Sequence, residues 1–161
     1  KGLLTEQGYA QMLRHTTQLN RVGIALGGLS GVHAMTDVTG FGLAGHLLEI
    51  CRGSRLDAHV DLASLPLIDE ALAFAREGIV TGASARNWSA YGADVAWPAS
   101  APAWMQALAS DPQTSGGLLV SCAPSAVDAV LATFAQAGFA QAAVVGQLSA
   151  PAGAKPQLAF A

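Results

Sequence analysis

The apolar pattern of this chain changes period across two glycine-bearing connections, and these constrain its folding more than any other feature. Gly31 to Met35 is a short apolar run suited to a buried strand, whereas Phe41, Leu43, Ala44, Leu47, Leu48, Ile50 and Cys51 recur at helical spacing. Thr36-Asp37-Val38-Thr39-Gly40 must therefore turn a strand into a helix. Further on, Asp111-Pro112 ends a helical pattern that includes Trp104, Met105, Leu108 and Ala109, because proline cannot continue a helix and pushes its neighbour to extended geometry. Thr114-Ser115-Gly116-Gly117 then leads into the strand-like run Leu118 to Cys122.

Each connection admits a chemical and a plain reading. A helix N-terminus offers unpaired N–H groups and partial positive charge, which suit a phosphate oxygen. Gly40 and Gly42 allow backbone to approach a ligand, and Asp37 is a hard oxygen donor of the kind Mg²⁺ takes beside substrate phosphates. The plain alternative is that Asp37 or Thr39 caps the helix and the glycines make a tight turn. Small polar residues and paired glycines before a strand can form an anion-binding concavity of N–H groups, or simply join a helix to a strand. No G-x-x-x-x-G-K-[ST] sequence occurs.

At 161 residues and 52% hydrophobic, the chain is long enough for one domain with a sizeable core. Only 12% of residues are charged, the formal net charge is −3, and no basic patch with interleaved aromatics occurs, so nucleic acid is not expected as a partner. So low a charge also suits a surface partly covered by another domain. Two cysteines make no disulfide framework or Cys/His metal spacing, and both are read as buried, reduced thiols. No apolar run reaches the roughly 18 residues of a membrane span and no signal peptide opens the chain, so no membrane is expected and the cytoplasm is the expected compartment.

Periodicity and punctuation predict helices over 5–19, to about 29, 41–52, 66–77, up to 109 and 125–137, with Gly78 and Gly138 as stops. Strands are predicted over 32–36, 58–62, 117–122 and 142–148, with a long loop over 79–100 and a mobile tail over 149–155. That alternation gives an α/β (α+β) fold, a mixed sheet of about four strands flanked by helices.

Taken together, Met35-Thr36-Asp37-Val38-Thr39-Gly40-Phe41-Gly42-Leu43-Ala44-Gly45-His46 and, roughly 60 residues on, Asp111-Pro112-Gln113-Thr114-Ser115-Gly116-Gly117 closely resemble the selenophosphate synthetase (selenide, water dikinase) family. Between them, Asn87, Tyr91 and Gly92 match that family's G-x-x-x-x-N-x-x-x-Y-G connection, and Leu3 to Asn20 is similar to the helix that opens its C-terminal domain. The resemblance implies an aminoimidazole ribonucleotide synthetase C-terminal-domain-like fold with partly ferredoxin-like topology. It implies residues 1–148 as that C-terminal domain and 149–161 as an extended tail, with the N-terminal ATP-binding domain absent from this chain. The first residue, Lys1 rather than Met, agrees with a piece of a longer protein.

The family makes selenophosphate, AMP and orthophosphate from ATP, selenide and water. By resemblance Asp37 is an Mg²⁺ ligand, while the reactive Cys or selenocysteine, the catalytic lysine and most metal-binding aspartates belong to the N-terminal domain. No catalytic residue is therefore assigned here, and neither Cys51 nor Cys122 matches the nucleophile's motif. The candidate nucleotide-contacting residues are Thr36, Thr39, Gly40, Gly42, Thr114, Ser115, Gly116 and Gly117. ATP and Mg²⁺ are expected to be held mainly by the N-terminal domain, which with ATP and selenide makes up the expected partners. A homodimer is expected at full length, and the piece alone is expected to be inactive. A non-catalytic nucleotide- or anion-binding module, or another ATP-using enzyme of the superfamily, is the competing reading. His46 and Glu49 are read as a hydrogen-bonded or solvated pair, His33 as structural, Arg86 as facing solvent, and Trp88, Tyr91, Trp97 and Trp104 as covering the core or an inter-domain face.

Overall fold

A computed structural model describes residues 2–153 and 157–161. Its elements run α1 (Glu6–Thr17), α2 (Val22–Gly27), β1 (Val32–Asp37), α3 (Gly42–Ser54), β2 (Asp57–Val60), α4 (Asp69–Arg76), α5 (Gly82–Tyr91), β3 (Val95–Ala96), α6 (Ala103–Ala109), β4 (Leu118–Cys122), α7 (Val127–Gln136), β5 (Gly146–Ser149) and β6 (Leu158–Phe160). The fold is mixed α/β, as the alternation of periods requires, but its strands divide into two sheets.

One sheet is mixed, in the order β3-β6-β2-β5, with β6 parallel to both β2 and β3 and β5 antiparallel to β2. Helix α3 packs on it through Ala44, Leu47, Leu48 and Cys51, which meet Ala58, Val60, Leu158 and Phe160 in the larger core. The apolar residues of α3 fall on one stripe, and that stripe is the buried one. The second sheet is an antiparallel ladder of β1 and β4, with Thr36 opposite Leu119 and Asp37 opposite Leu118. Helices α2 and α7 cover it with a smaller core of Val22, Leu26, Val130 and Phe134. The four expected strands therefore do not share one sheet: two make this ladder, and β3 and β6 complete the other.

Two expectations need correction. The predicted loop over 79–100 contains α5 and β3. Thr81 caps α5 by accepting from the Ser84 N–H at 3.3 Å, but Gly82, Ala83, Ser84 and Ala85 carry no apolar stripe, so no period betrays the helix. The second concerns 149–161. Ser149 closes β5, and Leu158 and Phe160 are almost wholly buried in β6, between β2 and β3. A three-residue strand after a Pro/Gly/Ala-rich stretch gives no alternation long enough to read, and only pairing with β2 reveals it. The part of the expected mobile tail at 154–155 lies outside the described residues.

Smaller shifts have local causes. Helix α1 starts at Glu6 because Thr5 is its cap, accepting from Gly8 N at 2.9 Å. Helix α4 starts at Asp69 rather than Pro66, with Asp69 and Glu70 in its first turn, where carboxylates favour the helix dipole. Gly78 and Gly138 follow α4 and α7 at φ +76° and +88°, the left-handed geometry that stops a helix. Strand β5 begins only at Gly146, four residues later than predicted, because pairing starts opposite Val60.

Candidate functional site

The fold brings the two glycine-bearing connections into direct backbone contact. Asp37 is the last residue of β1 and Leu118 the first of β4, so the loops leave the ladder side by side. The Val38 N–H donates to the Gly117 carbonyl at 2.9 Å, and the Gln113 N–H donates to the Thr39 carbonyl at 2.9 Å. The same carbonyl accepts from the Gly42 N–H at 3.1 Å. Two glycines permit this closeness. A Cβ on Gly116 would lie 1.6 Å from the Val38 carbonyl oxygen, and one on Gly42, at φ +68°, would lie 2.6 Å from the Ser110 carbonyl carbon.

Side chains lock the pair. Asn87 Nδ2 on α5 donates to the Gly40 carbonyl at 2.8 Å and to the Ser110 carbonyl at 3.0 Å, one from each loop. One helical turn on, Tyr91 OH donates to the Phe41 carbonyl at 2.6 Å. Asp111 Oδ1 accepts from Thr81 Oγ1 at 2.7 Å and Ser84 Oγ at 2.9 Å, and the buried Ser110 hydroxyl donates to the Gln106 carbonyl. From the other side, Asn20 Nδ2 donates to the Gly116 carbonyl at 2.8 Å and Ser115 Oγ donates to the Thr16 carbonyl at 2.9 Å.

These assignments sort the candidate residues. Gly116, Gly42 and Ser115 serve contacts inside the chain, and the Thr36 hydroxyl donates to the Asp37 carbonyl at 3.1 Å. Gly40 and Gly117 have open space where a Cβ would stand, and Thr114 is exposed. Thr39 lies beside α3, its Oγ1 3.1 Å from His46 Nε2, and His46 Nδ1 is 3.1 Å from Glu49 Oε2. The expected His46–Glu49 pair is thus present, with Thr39 added to it.

The capping alternative fails for both Asp37 and Thr39. The residue at the N-cap position of α3 is Phe41, with no side-chain cap, and Thr39 turns to His46 instead. Asp37 lies five residues ahead of Gly42, at the end of a strand, and its exposed carboxylate has no hydrogen bond or ion pair among the described residues. Free hard oxygens at the loop mouth fit one ligand position of a divalent cation that draws its other ligands elsewhere. Among the described residues no group of three or more His, Cys, Asp or Glu is gathered to hold a metal alone.

Sequence reasoning missed the binding together of the loops by Asn87, Thr81 and Ser84. A signal was available: Asn87 and Tyr91 are four apart and share a face once the segment is helical. The aromatic side chains cover the core, with Trp97 5.4 Å from Trp88 and 5.0 Å from Phe160 between ring centroids. Arg86 is exposed, and Trp104 lies beneath the Arg76 guanidinium at 5.2 Å. Burial pushes the Cys51 thiol up to about 11, with Asp57 adding to it, and pushes the Tyr91 phenol up to about 12. Neither group is poised to ionise near neutral pH. No helix among the described residues is long and apolar enough to cross a membrane.

Comparison with known proteins places this geometry. The family model for the AIR synthase related protein, C-terminal domain, matches residues 3–158. The chain is 56% identical over 148 residues to a selenide, water dikinase of Paraburkholderia xenovorans, covering 92% of this chain and 42% of that relative. It is 53% identical over 152 residues to the enzyme of the same name from Pseudomonas straminea, covering 94% and 43%. The chain thus spans less than half the length of these relatives. Among solved structures, E. coli HypE, a hydrogenase maturation protein, shares the fold with a TM-score of 0.52 at 14% identity, over 98% of this chain and 42% of that one.

Proposed function

The chain belongs to the AIR synthase related protein C-terminal domain family, and from that membership we propose that it is one wall of the phosphotransfer site of a selenide, water dikinase. The reaction is ATP, selenide and water giving selenophosphate, AMP and orthophosphate. The observation that carries this reading is Asp37: the carboxylate of Asp111 on the adjoining loop has internal partners, and that of Asp37 has none among the described residues.

The protein's own contribution is positional. Asn87 and the Val38, Thr39 and Gly117 backbone bonds fix the end of β1, so Asp37 would hold a cation there without reorganisation of the loops. When bound there, Mg²⁺ supplies charge neutralisation to phosphoryl oxygens and a template for their alignment. The anion-binding groups in this reading are the N–H groups opening α3 and the exposed Thr114. ATP, most of the Mg²⁺ ligands, the reactive residue and the acceptor selenide fall to a preceding domain, with which the chain pairs in a cytoplasmic protein, a dimer at full length.

Selenide-dependent AMP formation by the intact enzyme, compared with its Asp37→Asn variant, tests the reading. Loss of turnover with an unchanged melting temperature is expected. A variant with near-normal turnover and undisturbed Mg²⁺ dependence would refute the role of Asp37. ADP rather than AMP as product would point to another ATP-using member of the superfamily.

A further inference from the structure

Helix α1 sits with its apolar side out. Gly8 is buried and Gln11, His15 and Gln18 are half-buried, three or four residues apart, so the stripe turned toward the rest of the chain is glycine and polar. Gln18 Nε2 lies 3.5 Å from where a Cβ on Gly138, just after α7, would stand. Tyr9, Met12 and Leu13 form the other stripe, at 53%, 37% and 42% exposure, and Leu3 and Leu4 just ahead of the helix are exposed as well. An amphipathic helix ordinarily buries its apolar stripe and leaves its polar one to water. Within the chain α1 is fastened at its ends instead. The Thr5 N–H and hydroxyl donate to the Glu70 carboxylate, and the Thr16 carbonyl accepts from Ser115. A helix of 12 residues that buries only a glycine has little of the packing that holds short helices together. Its outward stripe is a contiguous apolar surface of the kind that marks an interaction site.

We propose that Tyr9, Met12 and Leu13, with Leu3 and Leu4 ahead of them, are the face on which the preceding domain of the same chain docks. The inference rests on the two-domain reading above and deepens it by naming the surface. Three arguments choose this occupant over a separate molecule. The relatives carry more than half their length outside the match, and the matched family is a C-terminal domain, so in them that length lies ahead of α1. A domain joined just ahead of α1 meets this face at high effective concentration. The far end of α1 also holds the second loop, through Ser115 on the Thr16 carbonyl and Asn20 on the Gly116 carbonyl. A domain seated on α1 therefore adjoins the paired loops that its own ligands must reach.

Hydroxyl-radical footprinting of the intact protein tests this, with labelling rates at Tyr9, Met12 and Leu13 set against the same residues in the urea-unfolded protein. Side chains left at 53%, 37% and 42% exposure would be protected only about twofold, whereas interface cores pack like protein interiors, so protection of about 10-fold or more is expected. Leu13 is exposed in this chain, so Leu13→Glu leaves the domain's own packing alone. That variant is expected to restore labelling at Tyr9 and Met12 while the sedimentation mass stays that of the parent. Twofold protection in the parent overturns the inference, and the parent's footprint decides this without the variant. A Leu13→Glu protein that regains labelling with a halved mass also overturns it, because the occupant is then a second copy. The two readings fail separately. An intact protein that makes selenophosphate with α1 freely labelled loses the docking face alone. One that makes none with α1 protected keeps the face and loses the phosphotransfer reading.

Discussion

Asp37 and Asp111 stand on adjoining loops and have opposite tasks. Asp111 is half-buried and accepts from Thr81 and Ser84, while Asp37 is exposed without an internal partner among the described residues. Substitution should separate them. Asp111→Ala strands two hydroxyls and is expected to lower stability by about 1–3 kcal/mol in a denaturant titration. Asp37→Asn touches nothing inside the chain and should stay within about 0.5 kcal/mol of the parent in the same titration. Similar losses from both would mean that Asp37 is structural after all. Gly116→Ala is expected to be the most damaging single-atom change in the loops, at about 3 kcal/mol or more, because a methyl cannot share space with the Val38 carbonyl. The sequence made Asp37 legible as a candidate ligand, since an acid between a strand and a glycine turn has few roles. It did not exclude capping, because the cap position depends on where α3 begins, and that is set by the Gly42–Ser110 contact across the molecule.

Helix α5 is the element that makes the site a single body. Asn87 carries a bond to each loop, so Asn87→Ala should cost about 1–3 kcal/mol and loosen both, read as faster amide exchange at Val38 and Gln113. Unchanged exchange at both amides would show that the backbone bonds suffice alone. Helices α3 and α5 also carry the buried Cys51 and Tyr91, raised from ordinary values of 9.0 and 10.0 to about 11 and about 12. The unfolded chain releases these protons first, so the native state holds more protons between those values and stability falls as pH rises through them. Melting temperature should therefore decline from about pH 9 upward, and less steeply in Cys51→Ala and Tyr91→Phe variants. α3 was plain in the sequence because its apolar stripe is strong. α5 was hidden because small residues pack a helix without marking a face.

On the scale of the whole molecule, the site is held by a core that closes through its last strand. Leu158 and Phe160 enter the sheet between β2 and β3, so Leu158→Ala is expected to cost about 2–5 kcal/mol by denaturant titration. The fold class was readable from alternating periods, whereas the partition into two sheets was not, since pairing of β6 with β2 joins residues about a hundred apart. The resemblance of the paired motifs to one family and the membership found by comparison agree, and the proposed reading is of a domain that completes a site begun elsewhere. The measurement that tests this most directly is ³¹P NMR of the intact enzyme with ATP, Mg²⁺ and selenide, beside its Asp37→Asn variant. Selenophosphate and AMP from the parent, with neither from the folded variant, is the predicted result. Selenophosphate from both would reduce Asp37 to a bystander, and none from a folded parent would make the domain a binding module rather than a wall of a phosphotransfer site.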